Sequence, residues 1–313
     1  MHCAITTTDD LLAYYRRHST NSNPGTLASL YDAVPDDVSR LCSIVQNSII
    51  HLFWIREATY GITLGELKAA GRALCTEFGY STAEERLRNI VQLQDAPLTE
   101  PRTPAYRSVG CCRDFALMLV SILRHKGIPA RVRTGVALYL DPSCPEDHYG
   151  AELWNAAEGR WQMADPQIDD VQRNAMRISL DTADLAPSLF LTGWRLLEAL
   201  RSGRIAHPER VGFPPANAGL TYGRNKLFAD FVGVTGAELP VHAWWGIGAP
   251  DSVKPGDDAL LDRMIALAQG IDQNDPAALS EALTLAETHP RLRMPKGYAV
   301  PPWAPEPAWG LAV

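Results

Sequence analysis

A change of rhythm in the middle of the chain does most to limit the folds open to it. Over residues 113–126 apolar side chains recur at helical spacing, with Phe115, Met118, Leu119, Ile122 and Leu123 on one side. Gly127 stands where such a helix would stop. Over 130–140 the pattern alternates and is partly β-branched, which predicts a strand. Residues 148–155 and 160–164 predict two more strands joined by a tight turn at Glu158-Gly159, so antiparallel pairing is expected. The order expected for the centre is therefore helix, strand, strand, strand.

Helical patterns flank this centre. Thr8, Asp9 and Asp10 are placed to cap a first helix carrying Leu11, Leu12, Tyr14 and Tyr15. Asp36-Asp37 opens a second, whose apolar face includes Leu41, Ile44, Val45, Ile49 and Ile50. Thr82 with Glu85 has capping-box spacing ahead of Leu87, Ile90 and Val91. The Pro-rich, polar stretch 95–110 reads as a linker or site loop. Later helices are predicted at 186–202, 222–232, 257–269 and 275–288, and the Pro- and aromatic-rich end from 294 to 313 as an extended surface tail. The organisation expected is a helical N-terminal region over 1–100, a core over 101–180 and a helical C-terminal region with its tail over 181–313, together one compact unit.

Composition narrows the function. The 313 residues carry a net charge of −7 and a pI near 5.6, with no Lys/Arg run to track phosphates, so no nucleic-acid partner is expected. Neither a signal-like start nor an apolar run long enough for a membrane span occurs, so a cytoplasmic protein without a membrane partner is expected. The six cysteines lie in apolar helical patterns without a CxxC pair, which favours reduced thiols over disulfides or structural zinc.

Three reactive side chains stand at element boundaries in the order Cys112, His148, Asp165. Cys112 opens the central helix, where unpaired N–H groups and the helix dipole favour a thiolate and can hold an oxyanion. His148 is placed to act as base, and Asp165 to orient its ring. Each has a plainer reading: a buried inert thiol, a structural imidazole, an Asp-Pro turn. A mixed Cys-His-Asp metal site is a further alternative, less simple than thiolate catalysis at a helix start.

The stretch Gly110-Cys111-Cys112-Arg113-Asp114-Phe115-Ala116, followed by Leu123-Arg124 and Gly127-Ile128-Pro129-Ala130-Arg131, resembles the core signature of the transglutaminase-like superfamily. His148 four residues before Glu152, and Trp161 four residues before Asp165-Pro166, match the family's later motifs. The resemblance spans about Ser108 to Asp170. It implies a papain-like α+β core, a helix packed on an antiparallel sheet, in which Cys112 is the nucleophile, His148 the general base and acid, and Asp165 the orienting residue. Cys111 is expected to pack, and Arg113 and Asp114 to make structural hydrogen bonds. Asp169 and Asp170 are expected in a solvated turn.

The family often has Trp soon after its His, whereas Tyr149-Gly150 stands here. Tyr149, Trp54 and Trp244 are candidate substrate contacts, and Trp54, Gln92 and Gln94 candidate oxyanion donors. The flanks do not resemble the β-sandwich, calcium-binding transglutaminases. They are similar to bacterial stand-alone members, some built into biosynthetic pathways. The implied enzyme is a cysteine acyltransferase or amidohydrolase acting on a small-molecule or peptide amide or ester, with no cofactor and no metal. The alternative is a non-catalytic binding protein of the same fold. Substrate, acyl acceptor and oligomeric state are left open by the sequence.

Overall fold

The computed structural model describes residues 5–56, 58–141, 143–215, 217–249, 254 and 256–302. In chain order the N-terminal region contains α1 (Thr8–Arg16), α2 (Val38–Ser48), β1 (Ile49–His51), α3 (Leu52–Arg56), α4 (Leu64–Ala69), α5 (Leu74–Phe78) and α6 (Ala83–Leu93). The centre follows with β2 (Ser108–Gly110), α7 (Cys112–His125), β3 (Ala130–Ala137), β4 (Glu146–Asn155) and β5 (Arg160–Ala164). Beyond it come α8 (Asp170–Met176), β6 (Phe190–Thr192), α9 (Gly193–Arg201), α10 (Gly219–Val234), α11 (Asp257–Asp272) and α12 (Pro276–Thr288).

Local chemistry explains the helix boundaries. Thr7 and Asp10 make a reciprocal capping box at α1, one residue earlier than the Thr8 cap expected. Asp37 caps α2, and Thr82 with Glu85 boxes α6. Helix α7 ends at Gly127, whose φ of +74° is left-handed and favours glycine.

The main sheet has the order β5-β4-β3-β6 and is antiparallel throughout. The register of β3 on β4 runs from Ala130 opposite Leu153 to Ala137 opposite Glu146. Helix α7 covers this sheet. Phe115, Ala116, Leu119 and Leu123 share one buried cluster with Val132, Tyr149, Ala151, Leu153 and Ala164. This is the α+β arrangement expected, a helix packed on an antiparallel sheet. A second cluster joins α1 and α9 to α10, α11 and α12 through residues such as Leu12, Leu197, Phe228, Phe231, Met264 and Leu279.

Sheet and C-terminal helices are bound by buried charge. Arg133 reaches both carboxylate oxygens of Asp230 on α10 at 2.9 Å, and also Glu152 at 2.7 Å and Asp272 on α11 at 2.8 Å. Arg131 pairs with the same Glu152 and Asp272, its guanidinium lying 4.2 Å from the Trp161 ring centroid. Each fully buried guanidinium is thereby neutralised, as a dry interior requires.

Four expectations are corrected. Ile49 and Ile50 belong to β1 rather than the face of α2, because β1 pairs in parallel with β2. That same pairing turns the end of the supposed 95–110 loop into a strand. The apolar run at 186–202 is divided: Phe190–Thr192 adds a fourth strand beside β3, and α9 starts only at Gly193. Asp169 is no solvated turn residue, since it caps α8 and accepts from the Tyr60 hydroxyl at 2.8 Å. Of the expected surface tail, residues 303–313 lie outside the described residues. Tyr298 and Val300 before them pack partly buried against the helical cluster.

Candidate active site

The N-terminus of α7 is the focus. Cys112 is its first residue, and the first N–H groups of a helix have no partner within it. The helix start is pinned from beneath. The Asp114 carboxylate accepts the Cys111 N–H at 2.9 Å and pairs with Arg86 at 3.1 Å and Arg113 at 3.2 Å. Arg113 in turn donates to the Ser81 carbonyl at 2.6 Å. Arg113 and Asp114 thus make the structural contacts anticipated for them.

His148 and Asp165 converge on this helix end. The His148 Nε2 lies 2.9 Å from Asp165 Oδ2, and both residues are buried. With Nε2 so engaged, Nδ1 is the ring nitrogen left to face Cys112, whose thiolate His148 favours. The three residues singled out in the sequence therefore form one line, Cys112 to His148 to Asp165. Asp165 is itself held at several points. Tyr139 donates its hydroxyl to Oδ2 at 2.5 Å, the Gln167 N–H donates to Oδ1 at 2.9 Å, and the Asp165 N–H donates to the Thr182 carbonyl at 2.7 Å. Gln167 continues to Gln172 at 3.0 Å, and Gln172 to the Tyr60 hydroxyl at 2.9 Å.

Charge follows from these contacts. The Cys112 thiol is held well below the ordinary thiol range by the Cys111 S–H bonded to it, then by His148 and His51, against the opposing effect of burial. Cys111 is pushed well above that range because it donates to Cys112 and is buried next to Asp114. The negative charge belongs on Cys112 because the imidazole, the second histidine and the helix N-terminus all act on that sulfur. For His148 burial favours the neutral ring, but Asp165 and then Cys112 outweigh it and raise the group to about 10. Both shifts favour the thiolate–imidazolium form of the pair.

His51, Tyr139 and Lys226 were not singled out in the sequence. His51 ends β1 opposite Gly110 of β2, and this register carries its ring to the start of α7. Its Nδ1 accepts the Phe53 N–H at 3.3 Å, which leaves Nε2–H for the Cys112 sulfur. Lys226 of α10 is a buried ammonium paired with Asp147, 3.4 Å from the Thr134 hydroxyl and over the Tyr149 ring at 4.8 Å. No short-range motif marks these residues, because each arrives from a separate element.

The remaining candidates are dispersed. Tyr149 is buried between sheet and Lys226. Trp54 sits half-buried on α3, three residues after His51. Trp244 packs against the C-terminal helical cluster, its carbonyl accepting from Tyr298 at 3.3 Å. Gln92 lies in the last turn of α6, and Gln94 is the C-cap of that helix. The group from upstream that meets the Cys112 sulfur is His51. Phe190, whose ring centroid is 6.4 Å from that of His148, also lines a cavity of about 560 Å³ with Arg131, Glu152, Trp161 and Met163. Among the described residues no group of His, Cys, Asp and Glu is arranged to hold a metal ion, and no helix is long and apolar enough to cross a membrane.

Residues 68–166 match the model of the transglutaminase-like superfamily. No curated protein matches the chain significantly. Among solved structures, the chain is similar to a candidate cysteine protease from Cytophaga hutchinsonii, at 19% identity and a TM-score of 0.29. That likeness covers 50% of this chain and 42% of the other, so the chain spans about two fifths of that protein's length.

Proposed function

We propose that this chain, whose residues 68–166 form a transglutaminase-like core, is a cysteine enzyme that transfers an acyl group from an amide or ester through a Cys112 thioester. The observation that carries the reading is the buried line from Cys112 through His148 to Asp165, with the proton on the imidazole.

The Cys112 thiolate attacks the carbonyl carbon, a C–S bond forms, and the carbonyl electron pair moves onto oxygen. The Cys112 N–H at the helix start and the Nε2–H of His51 are the donors assigned to that oxyanion. His148 gives its Nδ1 proton to the departing amine or alcohol, and collapse of the intermediate leaves the thioester. Water or an amine then attacks while His148 takes the proton back. Asp165 keeps the ring in the orientation and protonation state both halves require. Hydrolysis and amide formation differ only in the second nucleophile. The substrate class is a small-molecule or peptide amide or ester.

The test is intact-mass labelling with iodoacetamide across a pH series, comparing wild type with Cys111→Ser, Cys112→Ser and His148→Ala. Labelling at Cys112 that stays rapid well below the ordinary thiol range, and slows when His148 is removed, is expected. Slow labelling indifferent to His148 would instead indicate a non-catalytic binding protein.

A further inference from the structure

The cavity of about 560 Å³ lies on the face of the main sheet turned away from α7. Val132, Ala151 and Leu153 pack with α7, so Arg131 and Glu152, their neighbours in the strand alternation, project to the opposite face. Trp161 and Met163 of β5 line the cavity beside them, and Thr192 and Arg195 line it from the start of α9. None of Cys112, His148 and Asp165 lines it. Phe190 stands on its boundary with the catalytic line, its ring centroid 6.4 Å from that of His148. The volume suits a small organic molecule.

The acids of this cavity are already engaged. Both Asp184 oxygens accept from Arg160, at 3.0 and 2.6 Å. Glu152 Oε2 accepts from Arg131 and Arg133, Asp272 Oδ1 accepts from the same two arginines, and Asp272 Oδ2 accepts from the Trp194 indole at 2.9 Å. The donors are not. The Thr192 hydroxyl and Arg131 Nη1 have no hydrogen-bond partner, although their residues are only 3% and 1% exposed. Thr192 is the N-cap of α9, yet its side chain does not cap the helix, which leaves the N–H groups of that first turn without a side-chain acceptor. Among the described residues Arg195 meets no carboxylate. Its Nη1 makes a long 3.4 Å contact with the Pro187 carbonyl, and its guanidinium lies 5.1 Å from the Trp194 ring centroid.

We propose that this cavity binds a small organic acid, whose carboxylate accepts from the Thr192 hydroxyl and the Arg195 guanidinium at the positive end of α9. Burying a donor without an acceptor is costly, and an anion supplies the acceptor oxygens that these groups lack. Trp161, Met163 and Phe190 offer apolar surface to the rest of the molecule. A neutral amide of the same shape forfeits the charge, and inorganic phosphate forfeits the apolar contact. A cationic ligand would meet Arg131, Arg160 and Arg195 with every acid of the cavity already engaged by other residues, except where Pro187 alone faces Arg195. The inference does not depend on the charge of Cys112 or on the acyl-transfer reading.

The experiment titrates the full ¹⁵N-labelled chain with 3-phenylpropionate at neutral pH and follows the Trp161 indole N–H, assigned by its loss in Trp161→Phe. That N–H donates to Asn274 Oδ1 at 2.7 Å, and both residues line the cavity. A saturable shift is expected, with 3-phenylpropionamide and inorganic phosphate each binding about tenfold more weakly or worse. Thr192→Val, which keeps the side-chain shape, and Arg195→Gln, at a partly exposed position, should each weaken 3-phenylpropionate about tenfold. Arg201→Gln removes the same charge from the last turn of α9 and should leave the affinity unchanged. Cys112→Ser should bind the acid as wild type does. The proposal is overturned if the Trp161 signal does not move at millimolar 3-phenylpropionate, or if the amide or phosphate binds as well as the acid. It is equally overturned if Thr192→Val and Arg195→Gln both bind like wild type, or if Arg201→Gln weakens binding as much as Arg195→Gln.

Discussion

Replacing Asp165 with Asn is the substitution whose effect the geometry fixes most closely. The change preserves volume at a fully buried position, removes the negative charge that faces His148 Nε2 at 2.9 Å and replaces one acceptor oxygen with an amide donor. The imidazole is raised from 6.5 to about 10, and Asp165 supplies the two largest of the raising contributions, with Cys112 supplying the rest. That rise is worth about 5 kcal/mol between protonated and neutral ring, at about 1.36 kcal/mol per tenfold change in proton affinity. Once the charge is gone, burial opposes the protonated ring and only Cys112 supports it. His148 in Asp165→Asn is therefore expected to titrate at or below its ordinary 6.5, emptying the imidazolium near neutral pH. The assay is an NMR pH titration of ¹³C-histidine-labelled protein, with the His148 signal assigned by its loss in His148→Gln. A wild-type ring that titrates near 6.5, or a variant ring still protonated above about pH 9, would refute the assignment of that proton to Asp165.

The same linkage has a stability consequence. Folded His148 holds its proton to about 10 against 6.5 unfolded, so its contribution is complete below 6.5 and is lost as pH rises through 10. Urea midpoints of wild type should fall across that window, and those of Asp165→Asn should lose this component of the slope. Arg133→Met would strand the buried Asp230 carboxylate with only the Thr134 N–H at 3.1 Å, a loss of about 3–5 kcal/mol in urea unfolding. Adding Asp230→Leu should recover much of it, and a single-variant loss below about 1 kcal/mol would discount the buried network. A Cβ on Gly135 would stand 1.9 Å from the Leu191 carbonyl oxygen, so Gly135→Ala must displace β6. It should cost about 1–3 kcal/mol and alter the His148 environment through Phe190, and an unchanged Tm and His148 shift would contradict that.

What could be read in the sequence was whatever is encoded locally. The switch from helical to alternating spacing marked α7, β3, β4 and β5, and β5 was placed at its observed bounds. The capping pair Thr82 and Glu85 marked α6, and Cys112, His148 and Asp165 stood at the ends of elements the pattern had already located. What was hidden depends on contacts between distant segments. Ile49 and Ile50 satisfy a helical period, and only pairing with Val109 and its neighbours makes them a strand. His51 carries no signal until that register sets it beside Gly110. Phe190–Thr192 is too short to show an alternation of its own and becomes a strand by bonding to β3. Tyr139 and Lys226 looked like ordinary chain until tertiary packing brought them to Asp165 and Asp147.

The arginines of β3 set the limits within which the superfamily-matching segment can be moved or recombined. The segment matching the superfamily ends at residue 166, yet the acids that neutralise Arg131 and Arg133 include Asp230 and Asp272, far beyond it. The Asp165 amide also depends on Thr182. A graft of the matched segment into another scaffold would carry two interior cations without their full set of counterions. The smallest transplantable unit therefore extends through α11, and chimeras joined between residue 166 and α11 should inherit Cys112 without a stable sheet to hold it.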